Sequence, residues 1–195
     1  MKYFNKKNCG FTLPEVLVYM AIFVSVFVLG ANYIITGFKT SRFASEQETA
    51  IQYARKATEI MAKELRGANS SEQGAYPLDT TEAQNLIFFS DTDDDGETEK
   101  IRYHINGSQL FKTTTEPGPT NDYSSLPVTE TIAEYVNNQA ENLFTYYDSN
   151  NATSTSINSI RLIKTSIKIN VTPGIAPNDY YVETSVQLRN LKDNL

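Results

Sequence analysis

From Val16 to Phe38 the chain carries no charged residue, a run of 23 positions. That is long enough for a helix across a bilayer, where about 20 apolar residues suffice. Pro14 lies where the helix should begin, and the first turn is where proline costs least, because its missing N–H would be unpaired there anyway. The helix is not expected to stop at the membrane. Beyond Phe43, Ala50, Ile51, Ala54, Ala57, Met61 and Leu65 recur at three- and four-residue steps, with Glu46, Glu48, Arg55, Glu59 and Lys63 largely off that stripe. Gly67 and Asn69-Ser70-Ser71 read as its end. A helix from Pro14 to about Arg66 would be roughly 80 Å long at ~1.5 Å per residue. Its first half is apolar all round and calls for lipid or other helices. Its second half is amphipathic and calls for a globular domain laid against one face.

After Gly74 the pattern changes to short apolar or alternating runs. Asn85 to Ser90 is an apolar strand, and Glu99 to Ile105 alternates, placing Ile101, Tyr103 and Ile105 on one face. Asn106-Gly107 signals a two-residue hairpin, and Gln109-Leu110-Phe111-Lys112 returns as the next strand. Thr113 to Leu126, with Pro117, Gly118 and Pro119, reads as a loop. Ile132 to Val136 fits either a short helix or a strand. Asn142 to Tyr147 reads as a strand and Asp148 to Ser156 as a polar loop. Ile160 to Val171 alternates, and Tyr181 to Leu188 closes the sheet. One long helix followed by hairpin-linked strands predicts an α+β domain with an antiparallel meander.

Charge narrows the range of partners. The chain has a net charge of −6; the first ten residues hold three of its 17 basic residues and no acid, so without them 14 bases face 23 acids, a net −9. Such a surface is a poor one for nucleic acid, which needs clustered Lys and Arg, so no direct nucleic-acid binding is expected. Lys2, Lys6 and Lys7 before the apolar run favour a cytoplasmic amino terminus, with everything after Phe38 outside. The single cysteine, Cys9, lies before the run, so it does not fit the lipidated cysteine that follows an apolar segment. A secretory signal peptide is the rival reading of this region, with Gly30 and Ala31 as its small residues. Against it stand the length of the run and the acid at its head.

That acid is Glu15. A lone charge in hydrocarbon costs on the order of 2.5 kcal/mol or more, so such a residue usually has a partner. The stretch Gly10-Phe11-Thr12-Leu13-Pro14-Glu15, with its short basic leader, resembles the type III signal of the type IV pilin and pseudopilin superfamily. The resemblance implies cleavage after Gly10 by a prepilin peptidase, N-methylation of Phe11, and pairing of Glu15 with the amino terminus of a neighbouring subunit on assembly. A glycine at the cut lets the peptidase approach the backbone closely. The implied organisation is a leader over 1–10, a transmembrane and filament-core helix over 11–38, its amphipathic continuation over 39–68, and a globular β-rich domain over 69–195. The implied fold is pilin-like α+β. Phe88-Phe89-Ser90-Asp91, Ile101-Arg102-Tyr103, Leu110-Phe111, Phe144-Thr145-Tyr146-Tyr147-Asp148 and Thr184 to Asn190 are similar to the minor pseudopilins of the J and W types. Those imply a non-catalytic subunit of the inner membrane, partnered by other pilins or pseudopilins in a complex that primes and caps a type IV pilus or a type II secretion pseudopilus.

A second candidate site is Asp91-Thr92-Asp93-Asp94-Asp95-Gly96-Glu97-Thr98-Glu99. Asp at alternate positions followed by Gly resembles the first half of a calcium loop, in which hard oxygens gather on a tight turn. Asp91, Asp93 and Asp95 are the expected ligands, with Glu97 or Glu99 possible. An EF-hand would carry a ligating Glu where Arg102 stands, and a plain charged turn is the other reading. His104, the one histidine, falls in a strand and is expected to face solvent. No Gly-rich phosphate loop, Cys/His cluster or G-x-S-x-G motif is present, and the 12 Tyr and 10 Phe are read as core. Two alternatives stay open: a tethered or secreted extracytoplasmic binding module, such as an adhesin or calcium-binding domain, and an extracytoplasmic enzyme using acids of the 91–99 cluster.

Overall fold

The computed structural model describes residues 10–172 and 179–188. Lys2, Lys6, Lys7 and Cys9, and the end of the Thr184–Asn190 stretch, lie outside the described residues. The chain divides into two compact units between Ala44 and Ser45. Helix α1 runs from Leu13 to Arg66 through both, close to the expected span.

In the first unit the helix is bare. Large apolar side chains remain 44–75 % exposed from Phe11 to Leu29, and the segment is long and apolar enough to cross a membrane by length and composition. Water would oppose such a surface at about 25 cal/mol per Å² of apolar area, so lipid or other helices are its natural surroundings.

In the second unit, α1 buries Ala50, Ala54, Ala57, Met61, Ala62, Glu64 and Leu65, while Ile51 is only half-buried. Four of these buried residues are alanines, whose small side chains keep this face of the helix slim. Larger Met61 and Leu65, both fully buried, fill the end nearest Gly67. The helix stops at Gly67, whose N–H bonds the Glu64 carbonyl at 3.0 Å. A Cβ there would meet Ser90 Oγ at 2.9 Å and push that hydroxyl from its bond to the Glu64 carbonyl, which favours glycine at the helix end.

The strands form two antiparallel meanders rather than one. A five-stranded sheet has the order β1 (Leu78–Thr81), β2 (Asn85–Ser90), β3 (Glu99–Asn106), β4 (Gln109–Thr115) and β5 (Val128–Ala133). A three-stranded sheet contains β6 (Phe144–Tyr147), β7 (Leu162–Ile169) and β8 (Tyr180–Gln187). Thus Thr113–Thr115 belong to a strand, not to the loop that prolines 117 and 119 suggested. The ambiguous stretch beginning at Ile132 is the end of β5, and Val136 makes an isolated bridge to Ile169. The β3–β4 hairpin pairs Asn106 with Gln109, leaving Gly107 and Ser108 as the turn. Gly107 has φ +62° and Asn106 does not enter the left-handed region, so the glycine occupies the first central position, where a type II′ turn needs it.

Buried Asn138 joins the sheets: its Nδ2 donates to the Ser166 carbonyl, its Oδ1 accepts from Lys168 N–H, and its carbonyl accepts from Gln84, each at 2.8 Å. Phe88, Ile101, Tyr103 and Leu110 from the larger sheet, and Phe144, Ile163, Ile167 and Val186 from the smaller, share one core with the α1 stripe.

Candidate functional site

At the head of α1, Thr12 is the N-cap. Its carbonyl accepts the first helical bond from Val16 N–H at 3.2 Å. Glu15 reaches back, and its Oε2 accepts from Thr12 N–H at 2.9 Å and from Thr12 Oγ1 at 2.8 Å. This is the reciprocal half of a capping box, in which a carboxylate at the third helical position satisfies an orphan donor. Pro14 sits within the same turn, where no intrahelical donor is lost. Phe11 is 75 % exposed, its ring edge-on to Tyr19 with centroids 6.0 Å apart. Among the described residues, nothing lies within 4 Å of where a Cβ at Gly10 would stand, so their packing does not require glycine there. The three residues of the expected processing and assembly site thus stand together on one exposed helix start.

Residues 5–31 match the prokaryotic N-terminal methylation motif. The motif is that of the type IV pilin and pseudopilin class, and it falls on the basic leader, the Gly10–Glu15 junction and the first part of the apolar run. None of the curated proteins matches the chain. A methylation-motif terminus on a long apolar helix, followed by an antiparallel β domain, is a pilin-like architecture. Proteins of this class are typically structural subunits without catalysis.

The second candidate lies at the β2–β3 turn. Asp91 Oδ1 and Oδ2 accept from the Asp94 and Gly96 N–H groups at 2.7 and 3.1 Å, and Asp95 Oδ1 accepts from Glu97 N–H at 2.8 Å. Asp94 (φ +62°) and Gly96 (φ +92°) take the left-handed conformations that let the chain fold back on itself. An oxygen from each of Asp91, Asp93, Asp95 and Glu99 lies within 4.8 Å of the others, an arrangement able to hold a metal ion. Glu99 is the inward member, since the alternation of β3 buries it beside Ile101 and Tyr103 while Arg102 faces out. Burial holds its carboxyl above the ordinary glutamate range against two lowering bonds from Thr92, and Glu116 and Asp93 add to the rise. Burial also raises Glu116, just beyond β4, with Asp93, Asp95 and Glu97 contributing. Five acids therefore crowd this end of the sheet, with Asp93, Asp95 and Glu97 set close to the raised carboxyls of Glu99 and Glu116.

His104 departs from the solvent-facing expectation: it is half-buried, stacks on Phe111 with centroids 5.5 Å apart, and burial lowers its pKa. The aromatic core reading holds for Phe88, Tyr103, Phe144 and Tyr146. Sequence reading missed Glu64, which faces the sheet from α1. Tyr103 donates to its Oε2 at 2.5 Å and Lys112 Nζ to its Oε1 at 2.7 Å, while Ser90 Oγ donates to its carbonyl at 3.0 Å. Its position seven residues after Ala57 was the available signal, for that step returns to the same helix face.

Proposed function

We propose that this chain is a minor pilin or pseudopilin, trimmed after Gly10 and methylated on Phe11, that assembles through residues 11–38 into a type IV pilus or type II secretion pseudopilus. The observation that carries the reading is the methylation motif seated on a helix whose apolar half no other described residue covers. Before assembly the helix anchors the protein in the inner membrane, amino terminus inside and domain outside. In the filament the same surface packs on other pilins. Glu15 then exchanges part of its bonding to Thr12 for the charged amino terminus of a neighbour, which sets the axial register of the stack. Residues 39–68 carry the domain of residues 69–195 on the filament surface or tip. The J and W likeness of Phe88–Asp91, Leu110-Phe111 and Phe144–Asp148 favours the priming and tip complex within that class. Nothing in this role requires a bound ion.

Shearing and fractionating cells with and without the prepilin peptidase tests the reading. The protein is expected in the sheared filament fraction only when the peptidase is present, and uncut in the membrane otherwise. Equal recovery of one unchanged species in both strains would contradict it and point to a tethered binding module.

A further inference from the structure

Glu99 is 1 % exposed, and its two oxygens have unlike surroundings. Oε2 accepts from Thr92 N–H and from Thr92 Oγ1, both at 2.7 Å. Oε1 is out of contact with solvent and has no hydrogen-bond partner among the described residues. An unpaired oxygen of a buried carboxylate is expensive. What approaches the carboxylate is not a base but three more carboxylates, those of Asp91, Asp93 and Asp95. None of the four makes a salt bridge among the described residues. Crowding acids around a buried acid destabilises the fold unless something positive sits between them.

We propose that the 91–99 loop is a calcium site, with Asp91, Asp93, Asp95 and Glu99 as ligands and Glu99 as its buried anchor. The donor set favours calcium, which takes about six to eight oxygens largely from protein carboxylates and carbonyls, whereas magnesium keeps several waters; the separations leave room for the larger ion. Calcium holds oxygens at about 2.3–2.6 Å, so ligands across the ion stand roughly 4.6–5.2 Å apart, against about 4.0–4.2 Å for magnesium. The four oxygens here lie within 4.8 Å of one another. The loop has calcium-loop spacing through its first six positions, with Gly96 at the sixth at φ +92°. It departs at the twelfth, where Arg102 turns outward and donates its Nε–H to Asn85 Oδ1 at 2.8 Å. Glu99, at the ninth position, replaces the missing glutamate. It can do so because the strand period carries it to the inner face.

The ion would act beyond its loop. Thr98 N–H donates to Glu72 Oε1 at 2.9 Å, and the Thr98 carbonyl accepts from Tyr123 Oη at 2.8 Å. Tyr123 Oη in turn accepts from Glu72 N–H at 3.2 Å. Fixing the 91–99 loop therefore fixes the segment that follows α1 and the long connection after β4. This site does not rest on the pilin reading and stands or falls independently of it.

The test is calcium titration of the detergent-solubilised full chain, after chelation, followed by calorimetry and thermal unfolding. One calcium per chain is expected, with Tm rising by roughly 5–10 °C at a concentration about a hundredfold above Kd. Magnesium chloride at equal ionic strength should give little of that rise. In a chain carrying both Asp93→Asn and Asp95→Asn, the amide oxygens still accept the turn bonds, so the fold is kept while the calcium response is lost. Glu99→Gln should weaken calcium at least tenfold. No response in the native chain, an equal response to magnesium, or an unchanged calcium response in the double variant would each overturn the proposal.

Discussion

A chain carrying Glu15→Ala is expected to insert into the membrane and lose its leader as the native protein does, yet to enter filaments at least tenfold less. The physical ground is a charge without a partner. Once residues 1–10 are removed, each subunit brings a cationic amino terminus into a packed apolar bundle, and breaking a buried pair by deleting one member costs about 3–5 kcal/mol. Insertion needs only the 23 uncharged positions from Val16 to Phe38, which the substitution leaves alone. Two roles of Glu15 must be told apart, because it also caps the helix through Thr12. A glutamine keeps an acceptor for Thr12 and lacks the charge. Glu15→Gln should therefore fail in assembly nearly as badly as alanine while helix content stays unchanged. Membrane fractions probed for cleavage, and sheared filaments probed for the subunit, give both readouts. Normal incorporation of the glutamine variant would reduce Glu15 to a helix cap.

The second large effect is expected at Glu64, where α1 meets the larger sheet. The side chains of Glu64 and Lys112 are only 9 % and 11 % exposed, and their atoms approach to 2.7 Å. Tyr103 completes the group; burial first, and then the Glu64 charge, push its pKa well above the usual phenol range, so the hydroxyl remains a donor. Glu64→Ala deprives the buried Tyr103 hydroxyl of its acceptor and, among the described residues, leaves the Lys112 ammonium only the exposed Glu130 carboxylate at 3.7 Å. A loss of about 3 kcal/mol or more follows, which for a domain of this size lowers Tm by roughly 6–12 °C. Replacing both charges, as Glu64→Leu with Lys112→Met, should recover much of that loss, because an apolar pair removes the desolvation cost along with the attraction. Thermal unfolding of the solubilised chain distinguishes the cases. A Tm within about 2 °C of native for Glu64→Ala would mean that Glu130, already paired with Lys112 at 3.7 Å, compensates for the lost carboxylate.

Much of this fold is written in local pattern. The helix shows because its two halves obey different rules, apolar all round and then a stripe ending at Gly67. The β2–β3–β4 meander shows because Ile101, Tyr103 and Ile105 alternate and Gly107 marks a turn. The arrangement in two sheets is hidden from local pattern, since the contacts that tie them together, through Asn138 and the Val136–Ile169 bridge, join residues far apart in sequence. The prolines beyond Thr113–Thr115 dominate the local signal and predict a loop, whereas pairing with Lys100, Ile101 and Arg102 extends the strand. At the sites, chemistry and burial were not equally visible. The motif residues and the three aspartates could be named from spacing alone. Glu64 and Glu99 needed the period of their own elements to be extended across a charge. Reading charged positions as outward is a sound habit, and it fails where a polar group has been built into a core.

The most direct measurement is the amino-terminal mass of the protein recovered from its native membrane. A chain lacking residues 1–10 and carrying one methyl group on Phe11 is the result expected of a filament subunit. A chain left intact, or one cut near Gly30 and Ala31, would contradict the pilin reading and leave a tethered or secreted binding domain in its place.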